Sequence, residues 1–91
     1  MHNRNLRRPV VTDRTGNPRA TLYALIADGL FTTPVPIGGR AVGWPEHEVD
    51  AIVYARSIGC TDATIRRLVS RLIADRAAEL ERQLTAMESQ P

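Results

Sequence analysis

The sequence predicts a mainly α fold with a small β-hairpin and a long C-terminal helix. Apolar residues recur three and four positions apart in three separate segments, the period of helices that bury one face. Between two of these segments lies a Gly-Gly pair flanked by short β-prone runs, as expected of a two-residue hairpin turn. A chain of 91 residues has room for one small domain, or one domain with an appended helix.

Two short helices are predicted to open the domain. The first covers residues 9–15, because Pro9 suits the first turn of a helix, where a backbone N–H has no partner. Gly16 ends this helix, and Asn17 is the expected N-cap of a second helix over residues 18–28. Two helices joined by a tight glycine turn form a helix-turn-helix unit.

A hairpin is predicted to follow. Two prolines between the second helix and the Gly-Gly pair exclude a further helix there. The expected strands are residues 35–37 and 40–44, with Gly38 and Gly39 forming the turn. Trp44, together with the only Phe of the chain, is expected to fill the core between hairpin and helices.

Two more helices complete the predicted fold. The third opens at Pro45 and closes near residue 58, and the fourth is capped by Thr61 and runs over residues 62–87. Helix, turn, helix, hairpin, helix is the order of a winged helix-turn-helix. We therefore divide the chain into three parts: a basic flexible arm (residues 1–8), a winged helix-turn-helix domain (9–59) and a C-terminal amphipathic helix (60–91).

The C-terminal helix carries a seam with coiled-coil spacing. Apolar residues follow one another at alternating steps of four and three for about two heptads. The seam consists of Ile73, Ala77, Leu80, Leu84 and Met87. A lone helix of this length is marginal in water, so the seam needs a partner. That partner is either the rest of the domain or the same helix of a second chain, which would make a homodimer.

Charge is distributed unevenly along the chain. All twelve basic residues are arginines; residues 1–45 carry a net charge of +4 and residues 46–91 a net charge of −2. Such a split suits an anionic partner that binds one end of the protein. The arginines of the last helix, Arg76 among them, alternate with acids, which is typical of a solvated face and not of a site for an anionic partner. Contact of Arg66 or Arg67 with a phosphate stays an alternative.

Several function classes are excluded by what the sequence lacks. One cysteine and two histidines cannot form a zinc site of ordinary spacing, and no nucleophile, base and acid set or phosphate-binding loop is present. We therefore expect no enzyme activity, no cofactor and no small-molecule substrate. No apolar run is long enough to cross a membrane and no secretory signal is recognisable, which predicts a cytoplasmic protein without a membrane partner.

The middle of the chain resembles a known family over about residues 9–58. The matching residues are Thr15, Gly16, Arg19, Thr21, Leu22, Tyr23, Ile26, Gly29, Phe31, Pro34 and the run Ile37–Trp44. They resemble the AlpA family of small prophage-associated transcriptional regulators, which have a MerR-type, excisionase-like winged helix fold. The resemblance implies sequence-specific binding of double-stranded DNA, either in transcriptional control or as an accessory factor for prophage excision.

The second helix is the expected reader of DNA, since an α-helix fits the major groove and meets base edges with its N-terminal end. With its apolar stripe turned inward, its outward positions are Asn17, Arg19, Ala20, Thr21 and Tyr23. Arg19 should contact a base, because the planar guanidinium group can donate two parallel hydrogen bonds to O6 and N7 of guanine. Thr21 should meet a base or phosphate, and Tyr23 a phosphate or sugar. The alternatives are that Arg19 is solvated or paired with Asp13, and that Tyr23 packs in the core.

Two further basic elements are candidates for contact with DNA. Arg40 at the hairpin tip has the placement of a wing that touches phosphates or a minor groove, unless the hairpin is a plain turn whose Arg40 is solvated or paired with an acid of the following helix. Arg7 and Arg8 in the arm would follow an adjacent minor groove, or else contact nothing. A competing hypothesis from a different class is a protein-interaction module that acts through the C-terminal helix.

Overall fold

The computed structural model describes residues 4–89. Within that range it contains three short strands and four helices. They are β1 (Asn5–Arg7), α1 (Arg8–Thr15), α2 (Arg19–Ala27), β2 (Val35–Gly38), β3 (Ala41–Pro45), α3 (Glu46–Ser57) and α4 (Asp62–Glu88). The prediction of a mainly helical fold with a small β-element and a long C-terminal helix is confirmed.

The sheet has one strand more than predicted. Its order is β1-β3-β2, with both pairs antiparallel, so the N-terminal segment forms an edge strand beside the hairpin. Leu6 lies opposite Trp44 and is only 1% exposed. The prediction of a flexible arm is therefore wrong for residues 5–7, because backbone pairing and the burial of one leucine order a segment too short to show periodicity. Residues 1–3 of that arm lie outside the described residues.

The second helix begins one residue later than predicted. Pro18 is its N-cap, with an extended backbone (φ −66°, ψ 165°) and no side-chain capping bond, so the assignment of Asn17 as N-cap is wrong. The Pro18 carbonyl accepts the first helical hydrogen bond, from the amide of Leu22 at 2.9 Å, which is the role of an N-cap residue. Asn17 instead uses its backbone amide to donate to the Thr15 hydroxyl at 3.2 Å.

The C-terminus of α2 turns the chain sharply into the core. Gly29 adopts the left-handed conformation (φ 74°), which costs glycine little. Its amide donates to the carbonyl of Ile26 at 3.1 Å, and the amide of Leu30 donates to Leu25 at 2.8 Å. This pattern of hydrogen bonds is a Schellman motif. It turns the chain so that Leu30 lies in the core, with 6% of its surface exposed.

The hairpin turn also lies one residue further on than predicted. Gly38 belongs to β2, where it pairs with Ala41, so Gly39 and Arg40 are the residues that turn the chain. A β-bulge between Pro36 and Gly38 shifts the register. Such a bulge places an extra residue on one strand, and the extra residue moves the turn.

Trp44 is the centre of the core, as predicted. Its side chain is fully buried, and the ring of Phe31 meets it edge to face with centroids 6.3 Å apart. The indole N–H donates to the carbonyl of Thr32 at 2.8 Å, which satisfies the only polar atom that the ring brings inside. The first half of α4 closes the core from the other side, with Ile65 at 0% and Val69 at 4% exposure.

Arg76 does not lie on a solvated face, and the prediction for this arginine is wrong. Its Nη2 is 2.6 Å from Oε1 of Glu48, and its Nε donates to Oε2 at 2.7 Å. Nη2 also donates to the carbonyl of Thr33 at 2.8 Å. Glu48 is fully buried, so α4 is joined to α3 and to the loop before the hairpin by a forked ion pair.

Candidate nucleic-acid interface

The N-terminal half of α2 presents three of its five predicted outward positions to solvent. Arg19, Ala20 and Thr21 are all exposed, whereas Leu22 directly after them is fully buried. No side chain caps the start of the helix, so its first backbone amides are also available to an anion. Asn17, just before the helix, is half-buried.

Arg19 is supported by aromatic rings beneath it. Its guanidinium carbon lies 5.8 Å from the centroid of the Tyr23 ring, within the range of a cation–π contact. The Tyr23 ring in turn meets Trp44 edge to face at 6.4 Å. Tyr23 is therefore half-buried against the core, the alternative that the sequence left open, and Arg19 shows no ion pair with Asp13 in the part of the chain that the structure describes.

The hairpin tip is narrow and basic. Gly38, Gly39 and Arg40 are all exposed, and the structure records no ion pair for Arg40 within residues 4–89. The alternative in which Arg40 pairs with an acid of the following helix is thus absent from the described part of the chain. What remains at the tip is one guanidinium on a turn that has no other large side chain.

The edge strand β1 brings Arg7 into the same sheet as the hairpin. Arg7 lies opposite Gly43, which lies opposite Val35, so the three form one row across the sheet. Successive side chains of a strand point to opposite faces, and Leu6 points into the core; Arg7 therefore points outward, in agreement with its exposure. Arg8, the first residue of α1, is half-buried.

One arginine of the first half is neutralised and the others are not. Arg14 reaches Glu46 at 2.8 Å and Asp50 at 3.1 Å. Its hydrogen bond to Glu46 raises the pKa of Arg14 above its ordinary value. The other arginines of residues 1–45 show no ion pair among the residues that the structure describes: Arg4, Arg7, Arg8, Arg19 and Arg40. The excess positive charge that the sequence predicts for residues 1–45 is thus carried by arginines of the N-terminal segment, the start of α2 and the hairpin turn.

Residues 4–89 show no cluster of histidine, cysteine and carboxylate side chains that would hold a metal ion. Over the same residues, no helix is both long and apolar enough to span a bilayer.

Comparison with known proteins identifies the family. Residues 4–56 match the family described as prophage CP4-57 regulatory protein (AlpA), which is more than half of the chain. The chain belongs to the AlpA family. The resemblance to this family seen in the sequence is confirmed.

One curated relative of this AlpA-family chain comes from a phage. It is the uncharacterized protein ORF88 of Enterobacteria phage P4, which is 41% identical over 56 residues, or 62% of this chain. The chain spans 64% of that relative's length. No solved structure matches the chain. The family match ends within α3, so α4 lies outside it.

Two structural elements of this region were missed in the sequence. The first is β1, for which a single leucine between polar residues was the only signal. The second is the pair formed by Glu48 and Arg76. Glu48 lies four residues before Ile52 and seven before Ala55, and so falls on the apolar face of α3. An acid on a buried stripe is itself a signal for a cationic partner elsewhere in the chain.

Proposed function

We propose that the protein binds specific double-stranded DNA sequences as a small prophage-type transcription regulator with a winged helix-turn-helix. In this proposal α2 enters the major groove, and the hairpin tip lies on the backbone or in the minor groove. The observation that carries it is the exposed N-terminal half of α2, where Arg19 projects from a helix anchored to the core through Leu22 and Tyr23.

Arg19 is the proposed base contact. The guanidinium carries two N–H groups in the spacing of guanine O6 and N7, and such a pair discriminates against other bases by about 1–3 kcal/mol. Its position over Tyr23 favours this role, because a side chain that already rests on a fixed ring loses less freedom on binding. The neighbouring Ala20 keeps this face of the helix slim, and Thr21 adds a hydroxyl for a base or phosphate.

Arg40 and Arg7 are proposed to contact phosphates. Both are exposed, Arg7 on the edge strand β1 and Arg40 in the hairpin turn of the same sheet, so a bound backbone could lie along the outer face and tip of the sheet. Contacts of this kind fix the position of the protein on the duplex and carry no sequence information. Together with Arg8, these two arginines are proposed to account for the salt-dependent part of the affinity for DNA.

The test begins with selection of bound sequences from random duplexes, followed by titrations of the selected site with variants. Arg19→Ala should cost about 1–3 kcal/mol on the selected site and relax preference at one base pair. Arg40→Ala should weaken all sequences alike and reduce the slope of log affinity against log salt by about one unit. Arg71→Ala is the matched control, since Arg71 is a highly exposed arginine on α4.

The proposal has two distinct ways to fail. If selection enriches no motif and mobility shifts do not weaken with rising salt, the protein does not bind duplex DNA specifically. If a motif is found but Arg19→Ala binds it as the Arg71→Ala control does, then DNA is read by residues other than those proposed in α2.

A further inference from the structure

We infer that the exposed seam of α4 is a homodimer interface in which two copies of the helix pair in parallel. This inference goes beyond the proposed function, since pairing requires no DNA.

The contrast is in burial along α4. Ile65 and Val69 are 0% and 4% exposed because the domain packs over them. Ile73 is 37% exposed, and Leu80 and Leu84 are 56% and 39% exposed. After Arg76, nearly every described residue of the helix is exposed, so about 20 Å of helix projects from the domain with an apolar seam that residues 4–89 do not cover.

The spacing of the seam fits two paired helices. Ile73, Leu80 and Met87 take the d positions of a heptad, and Ala77 and Leu84 take the a positions. Polar contacts within the helix lie away from this seam. Arg71 reaches Asp75 at 3.3 Å and Arg82 reaches Glu79 at 2.6 Å, and in the same heptad frame these residues occupy positions b, c and f.

The charges beside the seam favour a second copy in parallel. Glu81 and Glu88 take e positions, whereas Arg76 and Gln83 take g positions. In a parallel pair, g faces the e position of the partner's following heptad, so Gln83 would meet the second copy's Glu88. In an antiparallel pair, e faces e, and glutamates would repel glutamates, whereas the parallel pair sets Glu88 against an uncharged amide that can donate a hydrogen bond. Arg76 is already held by Glu48 of its own chain, so Gln83 and the glutamates decide the orientation.

Parallel pairing has a consequence for DNA, which rests on the proposed function. Both winged domains would lie at the same end of the paired helices and be related by a two-fold axis along them. Two copies of α2 would then meet inverted half-sites. The seam covers only about two heptads, so the free dimer should be weak and gain avidity mainly when both domains are on one duplex.

The oligomeric state tests the interface without DNA. Sedimentation of the full chain over a concentration series up to about 1 mM should show reversible association, with a Kd within that range. Leu80→Lys places a charge in the seam and should leave only monomer, whereas Thr85→Lys, a b position on the same exposed stretch, should associate like the wild type. A monomeric wild type, or association that Leu80→Lys leaves intact, overturns the inference. Circular dichroism should show both variants folded, because neither residue belongs to the core.

Disulfide trapping tests the orientation. In a Cys60→Ser background, Met87→Cys places a thiol at a d position that faces its own copy only in a parallel pair. A disulfide-linked dimer should form in oxidised glutathione, and Ala86→Cys, a c position on the outer face, should give none. A dimer in sedimentation that Met87→Cys fails to trap would overturn the parallel arrangement.

DNA binding separates failure of this inference from failure of the proposed function. Leu80→Lys should bind a single half-site as the wild type does and lose the extra affinity for two half-sites. If instead no variant binds DNA specifically while sedimentation still shows the dimer, the proposed function is wrong and the interface stands.

Discussion

Replacing Arg76 with alanine should destabilise the protein far more than an exposed arginine normally would. Glu48 is fully buried, and Arg76 reaches both of its oxygens, at 2.6 and 2.7 Å. Without Arg76 the carboxylate keeps its desolvation cost but loses its counter-charge, and the Thr33 carbonyl loses a donor at 2.8 Å. Removing one partner of a buried ion pair costs about 3–5 kcal/mol.

The expected cost lies near the lower end of that range, for two structural reasons. The Arg76 side chain is 24% exposed, so water can partly replace it beside Glu48. Glu48 also lies in the first turn of α3, where the helix macrodipole favours an acid by about 0.3–1 kcal/mol. We expect a loss of about 3 kcal/mol, or roughly 12–24 °C in Tm for a domain of this size.

Urea denaturation followed by the fluorescence of Trp44, the only tryptophan, measures this loss. Arg71→Ala is the matched control: Arg71 forms an exposed pair with Asp75, and such pairs contribute about 0–1 kcal/mol. The double variant Glu48→Leu with Arg76→Met should lie within about 1 kcal/mol of the wild type, because a well-packed apolar pair often replaces a buried ion pair at no cost. A loss below about 1 kcal/mol for Arg76→Ala would refute the reasoning, since the pair would then behave as a surface contact.

Three further predictions concern the sheet and α4. Gly43→Ala should cost about 1–3 kcal/mol and speed amide exchange in β1, because an added Cβ would lie 3.1 Å from the Leu6 carbonyl oxygen; unchanged exchange would contradict this. Thr61→Ala should cost about 1 kcal/mol by thermal denaturation and Thr61→Ser much less, because the Thr61 hydroxyl accepts an amide hydrogen bond at the start of α4; equal losses would argue against the cap. The hydrogen bond that Arg82 donates holds the pKa of the Glu79 carboxyl below its ordinary value of 4.5. The ionised carboxylate therefore stabilises the folded state above pH 4.5, and this stabilisation is lost as the pH falls through the lowered pKa. Carboxyl NMR titration should show this lowered pKa and its return upward in Arg82→Ala, and identical titrations would disprove the contact.

The helices were predictable because their signals are local. Apolar spacing placed α2, α3 and α4 within a residue or two, and glycines marked where helices stop. Thr61 was predicted as the N-cap of α4 and is one, since a capping hydroxyl needs only the backbone of its own helix. The family resemblance was visible for a similar reason, because it rests on a continuous segment.

The shifts of one residue have a common origin. In each case two neighbouring residues have similar local preferences. For the N-cap of α2 these are Asn17 and Pro18, and for the first turn residue of the hairpin they are Gly38 and Gly39. The backbone decides between them: Pro18 is extended, so α2 begins at Arg19, and the bulge between Pro36 and Gly38 moves the hairpin turn by one residue.

The residues of the candidate interface could be predicted from the sequence, but the side chains that pack around them could not. Arg19, Thr21 and Arg40 could be named from helix phase and turn chemistry, and all three are exposed. That the Tyr23 ring would rest against Trp44 could not be known, because these two residues come together only through tertiary packing, whereas Arg19 and Tyr23 are four residues apart on one helix.

What the amino-acid order alone decided is the set of helices, the hairpin and the excess of positive charge in the first half of the chain. These follow from spacing, glycines and composition, which act over a few residues. The tertiary structure decided that Leu6 would draw the N-terminal segment into the sheet and that Glu48 would meet Arg76, 28 positions away. Contacts so distant in the chain leave no periodic trace, and form only because burying an apolar side chain or pairing a buried charge offsets the entropy of closing the intervening loop.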